Sequence, residues 1–89
     1  MPEWTCYLVR CADDTLYCGI TNDLDRRLAA HNAGSGAKYT RSRTPVTLMY
    51  REKLPDKSAA LRREAEIKNM PRAYKLALCQ APAPVFNAE

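Results

Sequence analysis

Long apolar runs are missing from this chain. No uninterrupted apolar stretch exceeds four residues, far short of the roughly 20 that a membrane-spanning helix needs. The opening Met1-Pro2-Glu3-Trp4 has neither the basic start nor the apolar stretch of a secretion signal, so the expectation is a small soluble protein of the cytoplasm. Length is also scarce: 89 residues leave room for one core and no second. Extremes of composition are absent as well. With 46% apolar and 27% charged residues, a disordered chain, collagen and a coiled coil are excluded. Cys6, Cys11, Cys18 and Cys79 follow no CxxC spacing and His31 is the only histidine, too little for a structural zinc site. Reduced, buried or half-buried thiols are expected.

Acid is the next absence. Residues 26–51 hold no aspartate or glutamate but six bases, Arg26, Arg27, Lys38, Arg41, Arg43 and Arg51, together with Tyr39 and Tyr50. Residues 1–25 carry five acids against the single base Arg10, so the formal charge of +4 is segregated along the chain. A basic, acid-free stretch with tyrosines in it suits a phosphate backbone. The bland alternative is a solvated surface.

What is present reads as alternating elements. Trp4–Val9 and Thr15–Ile20 are apolar and β-prone, and Cys11-Ala12-Asp13-Asp14 between them is turn-forming, which makes a hairpin. If paired residue numbers sum to an even value, Tyr7, Val9, Tyr17 and Gly19 share a face; an odd sum parts the two tyrosines. The residues alone leave both open. Thr21-Asn22-Asp23 supplies N-cap candidates for a helix through about Asn32. Ala33–Ala37 reads as a flexible loop, with Lys38–Arg43 as its basic continuation. Pro45–Arg51 reads as a third strand, Pro55-Asp56 opens a second helix to about Met70, Arg72–Cys79 is a third helix, and 81–89 an extended or disordered tail. The resulting fold class is α/β (α+β), a small, mainly antiparallel three-stranded sheet flanked by helices, in one domain over 1–80.

Helical geometry singles out the polar residues that face inward. At 100° per residue, with Leu24 at zero, Leu28 falls at about 40°, His31 at about −20° and Arg27 at about −60°, whereas Arg26 falls at about 200°. Arg27 and His31 therefore share the apolar stripe, and a guanidinium there needs a partner. On the second helix, with Glu64 at zero, Ala60, Leu61 and Ile67 lie within about 60° while Glu66 falls near 200°. Arg27 and Glu64 have two options: to neutralise each other, or to line a cleft where the arginine meets phosphate and the carboxylate meets a metal.

This order of residues resembles the GIY-YIG nuclease superfamily: two tyrosine motifs on a hairpin, an arginine and a histidine on the next helix, then a glutamate on a later one. The first motif here is Thr5-Cys6-Tyr7 and keeps only its tyrosine; the second is Tyr17-Cys18-Gly19. Tyr17–Arg27 with His31 after it, then Ala60-Leu61-Arg62-Arg63-Glu64 with Ile67-Lys68, follows the family pattern. Gly36-Ala37-Lys38-Tyr39-Thr40-Arg41 is similar to a stretch of the small single-domain bacterial branch, the UPF0213-like proteins. The resemblance spans about residues 4–78 and implies the even register, with Tyr7 and Tyr17 on one face.

It also implies a function: a metal-dependent DNA endonuclease of the kind found in DNA repair, recombination or DNA uptake. Glu64 would be the one protein ligand of Mg²⁺ or Mn²⁺, a thin shell that Mg²⁺ tolerates because it keeps waters and borrows phosphate oxygens. Arg27 would grip the phosphate bidentately. Tyr7 or Tyr17 would be the general base, its pKa lowered by Arg27 and the metal, and His31 would hydrogen-bond the phenol or a phosphate. Lys38, Tyr39, Arg41 and Arg43 form the candidate nucleic-acid surface. A flexible basic loop with one aromatic suits single-stranded or locally unpaired DNA, through backbone contacts and base stacking. The rivals are a nucleic-acid-binding module with weak catalysis and an accessory protein docking an acidic partner.

Overall fold

The computed structural model describes residues 3–80; the tail expected over 81–89 lies outside them. The elements in chain order are β1 (Trp4–Arg10), β2 (Leu16–Thr21), α1 (Leu24–Asn32), α2 (Lys38–Arg41), β3 (Thr47–Leu54), α3 (Lys57–Lys68) and α4 (Arg72–Gln80). The strands form an antiparallel sheet in the order β2-β1-β3. Among the described residues no helix is long and apolar enough to cross a membrane.

The hairpin turn decides the register. Cys11 N–H donates to Thr15 C=O (2.8 Å) and Asp14 N–H to Cys11 C=O (2.9 Å), which closes a loop of three residues. Asp14 takes φ 70°, a left-handed conformation that aspartate tolerates better than most residues. An odd loop gives even sums, so Tyr7 pairs with Gly19 and Val9 with Tyr17. Both tyrosines therefore share a face, as the family resemblance implies.

Alternation then divides the core. Cys6, Leu8, Cys18, Tyr50 and Ile67 pack on one side of the sheet, with Met70 from the turn after α3 and Leu78 and Cys79 from α4 closing over them. Tyr7, Val9, Cys11 and Val46 pack on the other, with Tyr17, Leu24, Leu28 and Leu48. Arg63 of α3 donates to Glu52 of β3 (2.9 Å), which also accepts from Tyr50 Oη (2.9 Å). All four cysteines are free thiols, three buried and Cys79 half-buried.

Three local expectations are corrected. The third strand begins at Thr47 and runs to Leu54 instead of spanning Pro45–Arg51, because the Val46 backbone is held by Asn32: Val46 N–H donates to Oδ1 (2.6 Å) and Asn32 Nδ2 donates to the Val46 carbonyl (3.3 Å). Lys38–Arg41 is a helical turn, not open loop, because Thr40 is buried and its hydroxyl and amide both donate to Ala37 C=O (3.0 and 3.1 Å). Leu61 stays 47% exposed; only Ala60 and Ile67 of the α3 stripe are buried.

Candidate active site

Helix α1 starts where Asp23 caps it, its carboxylate accepting from Arg26 N–H (3.2 Å). Thr21 Oγ1 accepts from Asp23 N–H (3.0 Å) and so fixes the exit from β2. This start sets the phase of the helix over the tyrosine face. His31 is completely buried, Arg27 half-buried and Arg26 exposed, the order that the helical geometry predicts.

The side chains that meet there form a chain of contacts. Arg27 Nε donates to Tyr7 Oη (3.4 Å). Tyr7 Oη and His31 Nε2 share a hydrogen bond of 2.9 Å, and His31 Nδ1 and Thr40 Oγ1 share one of 2.7 Å. Both tyrosine rings meet the imidazole edge-on, with centroids 5.9 Å away for Tyr7 and 5.6 Å for Tyr17. Two glycines make room. A Cβ on Gly19 would lie 2.5 Å from Tyr7 Oη, and one on Gly36 would lie 2.5 Å from His31 Nδ1 and 2.8 Å from its Cα. Neither contact is tolerable.

Burial sets the ionisation of this group. It holds the Tyr7 phenol above its ordinary pKa; the hydrogen bond and charge of Arg27 oppose that shift without reversing it. The lowered phenol pKa expected from Arg27 is therefore not found for Tyr7 in the protein alone. Burial, helped by the Arg27 charge, also holds His31 below its usual range, so the imidazole is neutral at pH 7. Arg27 is pushed up, chiefly by its bond to Tyr7, and it forms no ion pair with a described residue. Arg27 lines an open cleft of about 460 Å³ that Thr21, Asn22, Asp23, Arg26 and Ala30 complete.

Glu64 stands apart from this cluster. It belongs to α3, which packs through Ile67 on the sheet face that carries Cys6 and Cys18. Its negative charge adds a minor upward push at Cys6, after the Cys18 contact and burial, and is outweighed at Cys18, which the Cys6 contact lowers. Its Oε2 pairs with Lys68 Nζ at 3.2 Å, so the option of an Arg27–Glu64 ion pair is not taken. As a metal ligand it is a lone donor, since no three His, Cys, Asp or Glu side chains among the described residues converge on one point. Its Oε1 accepts no hydrogen bond from a described residue and fits a cation that keeps most of its waters.

The basic segment is more structured than expected. Lys38 and Arg41 are exposed and form no ion pair with a described residue. Tyr39 is 39% exposed, but its ring stacks on Tyr17 (5.7 Å, 23°) and carries the Arg43 guanidinium 4.1 Å from its centroid. Arg43 is itself tied to Asp13 of the hairpin turn (2.8 Å) and to the Tyr39 carbonyl (2.7 Å). Sequence reasoning takes Arg43 for a phosphate ligand; Asp13, thirty residues away, makes it a tether. Thr40, Gly19 and Gly36 are the residues that reasoning overlooks. Glycines inside a tyrosine motif and a basic loop were the available signal, whereas a threonine flanked by cations gave none.

A family model for the GIY-YIG catalytic domain matches residues 3–76. The chain belongs to the GIY-YIG family. Its resemblance to the UPF0213 proteins is equally direct. It is 57% identical over 72 residues to a UPF0213 protein of Halobacterium salinarum, covering 81% of this chain and 94% of that one. With a UPF0213 protein of Staphylococcus haemolyticus the identity is 50% over 80 residues, covering 90% and 98%. The solution structure of a UPF0213 protein from Bacillus halodurans superposes with a TM-score of 0.55 at 41% identity, covering 85% of this chain and 81% of that one. A GIY-YIG domain is a nuclease-type fold and points to DNA as the partner.

Proposed function

We propose that this GIY-YIG protein is a divalent-metal-dependent endonuclease that hydrolyses phosphodiester bonds in DNA, preferring single-stranded or locally unpaired substrate. One observation carries the reading: Arg27 sits on the wall of an open cleft, its Nε committed to Tyr7 and its two Nη groups turned to no carboxylate. A guanidinium held in this way is a ready ligand for a phosphate, gripped through two parallel N–H donors.

Hydrolysis needs a water activated for attack and stabilisation of the charge that builds on the phosphoryl oxygens. Arg27 serves the second need. For the first, Tyr17 is favoured over Tyr7, because Tyr7 is wholly buried and Tyr17 keeps part of its ring in solvent. Tyr17, acting as its phenolate, takes the proton of the attacking water and becomes the phenol as the water oxygen bonds to phosphorus; the bond from phosphorus to the ester oxygen breaks, and that oxygen takes a proton from solvent. Tyr7 and His31 support Arg27 from below. Glu64 would hold Mg²⁺ or Mn²⁺, which supplies charge neutralisation at the phosphate.

Lys38 and Arg41, both exposed, would supply backbone contacts, and the exposed part of Tyr39 would extend the Tyr17 stack onto an unpaired base. A second reading, a nucleic-acid-binding module with weak catalysis, is favoured by Glu64 pairing with Lys68 and making no hydrogen bond to Tyr7, Tyr17 or Arg27. Adding Mg²⁺ or Mn²⁺ to labelled DNA separates the two. Cleavage that chelation stops supports the nuclease; tight, salt-sensitive binding without products supports the module.

A further inference from the structure

The buried contacts beneath Arg27 have only one consistent set of hydrogen positions. At one end, Thr40 Oγ1 lies 3.0 Å from the Ala37 carbonyl, a group that can only accept. The hydroxyl has one proton, and it goes there. Thr40 therefore has only lone pairs to offer His31 Nδ1 at 2.7 Å, so Nδ1 must carry a proton. At the other end, Arg27 Nε can only donate, and it donates to Tyr7 Oη. Tyr7 spends its own proton on the remaining neighbour, His31 Nε2 at 2.9 Å, which must therefore be bare.

Both ends demand the same imidazole: neutral, protonated on Nδ1 only. The opposite tautomer turns the Thr40 proton to Nδ1 and makes Tyr7 Oη accept from both Arg27 and His31, which leaves the buried Tyr7 proton with no acceptor among the described residues. An imidazolium has the same fault at Tyr7. No buried side-chain polar atom among the described residues lacks a partner, and the four residues leave no room for a water to reverse a link, Tyr7, His31 and Thr40 all being completely buried.

We propose that Thr40 is a positioning residue that locks His31 in the Nδ1–H tautomer and, through His31 and Tyr7, aims a phenolic lone pair at Arg27. This deepens the reading of Arg27 as the phosphate ligand and rests on it for its catalytic consequence. The chain runs Arg27 to Tyr7 to His31 to Thr40 to Ala37, each group donating to the next. Its purpose is to fix the guanidinium at Nε and leave the Nη groups free of any carboxylate beside the cleft that Arg27 lines. A threonine serves and a valine of the same shape cannot, because the function lies in the hydroxyl.

His31 is the only histidine, so ¹⁵N-histidine labelling reports this one ring without any assignment problem. Near pH 7 the wild-type protein should give one protonated, pyrrole-like Nδ1 and one bare Nε2. A dominant Nε2–H tautomer or an imidazolium at that pH overturns the proposal. Thr40→Val should move the ring toward Nε2–H and lower kcat for DNA cleavage roughly tenfold to a hundredfold, the usual cost of losing an orienting partner. Thr40→Ser should restore both the tautomer and the rate. An unchanged tautomer in Thr40→Val, or no rescue by serine, overturns it. If Thr40→Val does not fold, the wild-type and Thr40→Ser spectra decide alone. The spectra need no substrate: the expected tautomer in a protein that cleaves nothing would refute the nuclease and leave the lock standing.

Discussion

The two faces of this sheet come from the same strands, one residue out of step, and they are held together by different forces. On one face Cys6, Leu8, Cys18, Tyr50 and Ile67 interlock by contact. The contact of Cys6 Sγ with Cys18 Sγ at 3.8 Å is enclosed there; it and burial push the Cys6 thiol up, and the same contact pulls Cys18 down against the opposing effect of burial. On the other face Tyr7, His31 and Thr40 are as deeply buried, yet each is placed by hydrogen bonds whose donors and acceptors must match. Apolar contact has no direction, so the first face tolerates substitutions of similar volume. Hydrogen bonds are directional, so the second face makes a defined constellation, and a missing partner there costs more than a missing contact.

The largest expected effect comes from crossing between the faces. Glu64→Ala should abolish metal-dependent cleavage while circular dichroism and DNA binding stay near wild type, although the residue belongs to the helix that packs on the other face. Glu66→Ala should be silent, because Glu66 is exposed and Arg63 keeps Glu52. Equal losses in both variants would remove Glu64 from the chemistry.

Next in size is Arg27→Lys, which keeps the charge and loses the fork; turnover should fall roughly a hundredfold. Arg26→Lys should cost far less, since that exposed side chain lines the same cleft without a link to the buried hydrogen bonds. Near wild-type turnover in Arg27→Lys would mean that phosphate gripping is the wrong role.

A pair of neighbours on β1 sharpens the contrast. Leu8→Ala should cost about 2–5 kcal/mol of unfolding free energy and leave the rate per folded molecule alone. Tyr7→Phe should cost less, about 1–3 kcal/mol, and lower the rate. Urea titration alongside single-turnover cleavage reads both quantities on the same samples.

What was legible in the sequence follows the same division. Period and phase were readable, so the hairpin, the inward Arg27 and His31 and the half-buried Glu64 stand where the pattern puts them. The register was not readable from the strands, because it hangs on whether Asp14 adopts a left-handed conformation in a three-residue loop. Three long-range links were also invisible: Asn32 to Val46, Arg43 to Asp13, and His31 to Thr40. Each joins residues 9 to 30 positions apart through side chains whose sequence surroundings look like ordinary loop. These links turned a presumed flexible basic loop into a helical turn that completes the site.

A smaller effect is a dependence of stability on pH. His31 is held below its ordinary pKa by burial and by Arg27, with Tyr7 from β1, Tyr17 from β2 and Thr40 from α2 also packed on the ring. The unfolded chain then takes up this proton more readily than the folded one. Its contribution is therefore fully present above the unfolded pKa of about 6.5 and is lost as pH falls toward the depressed folded value. Thermal unfolding followed from about pH 7.5 down to 5 should show a drop that His31→Gln flattens. An equal slope in both proteins would contradict it.

The smallest effect concerns substrate form. Tyr39→Ala should narrow the gap between single strand and duplex by up to about 1–3 kcal/mol, the worth of one stacked base. Lys38→Ala should weaken binding to both alike and reduce its salt dependence.

The most direct measurement is a cleavage panel: end-labelled single-stranded, duplex and branched DNA, each with Mg²⁺, with Mn²⁺ and with chelator, using wild-type protein. The account predicts metal-dependent products on every form, most from the single-stranded and branched DNA, with little preference for sequence. Absence of products on all three, from folded protein that binds the DNA, would contradict it.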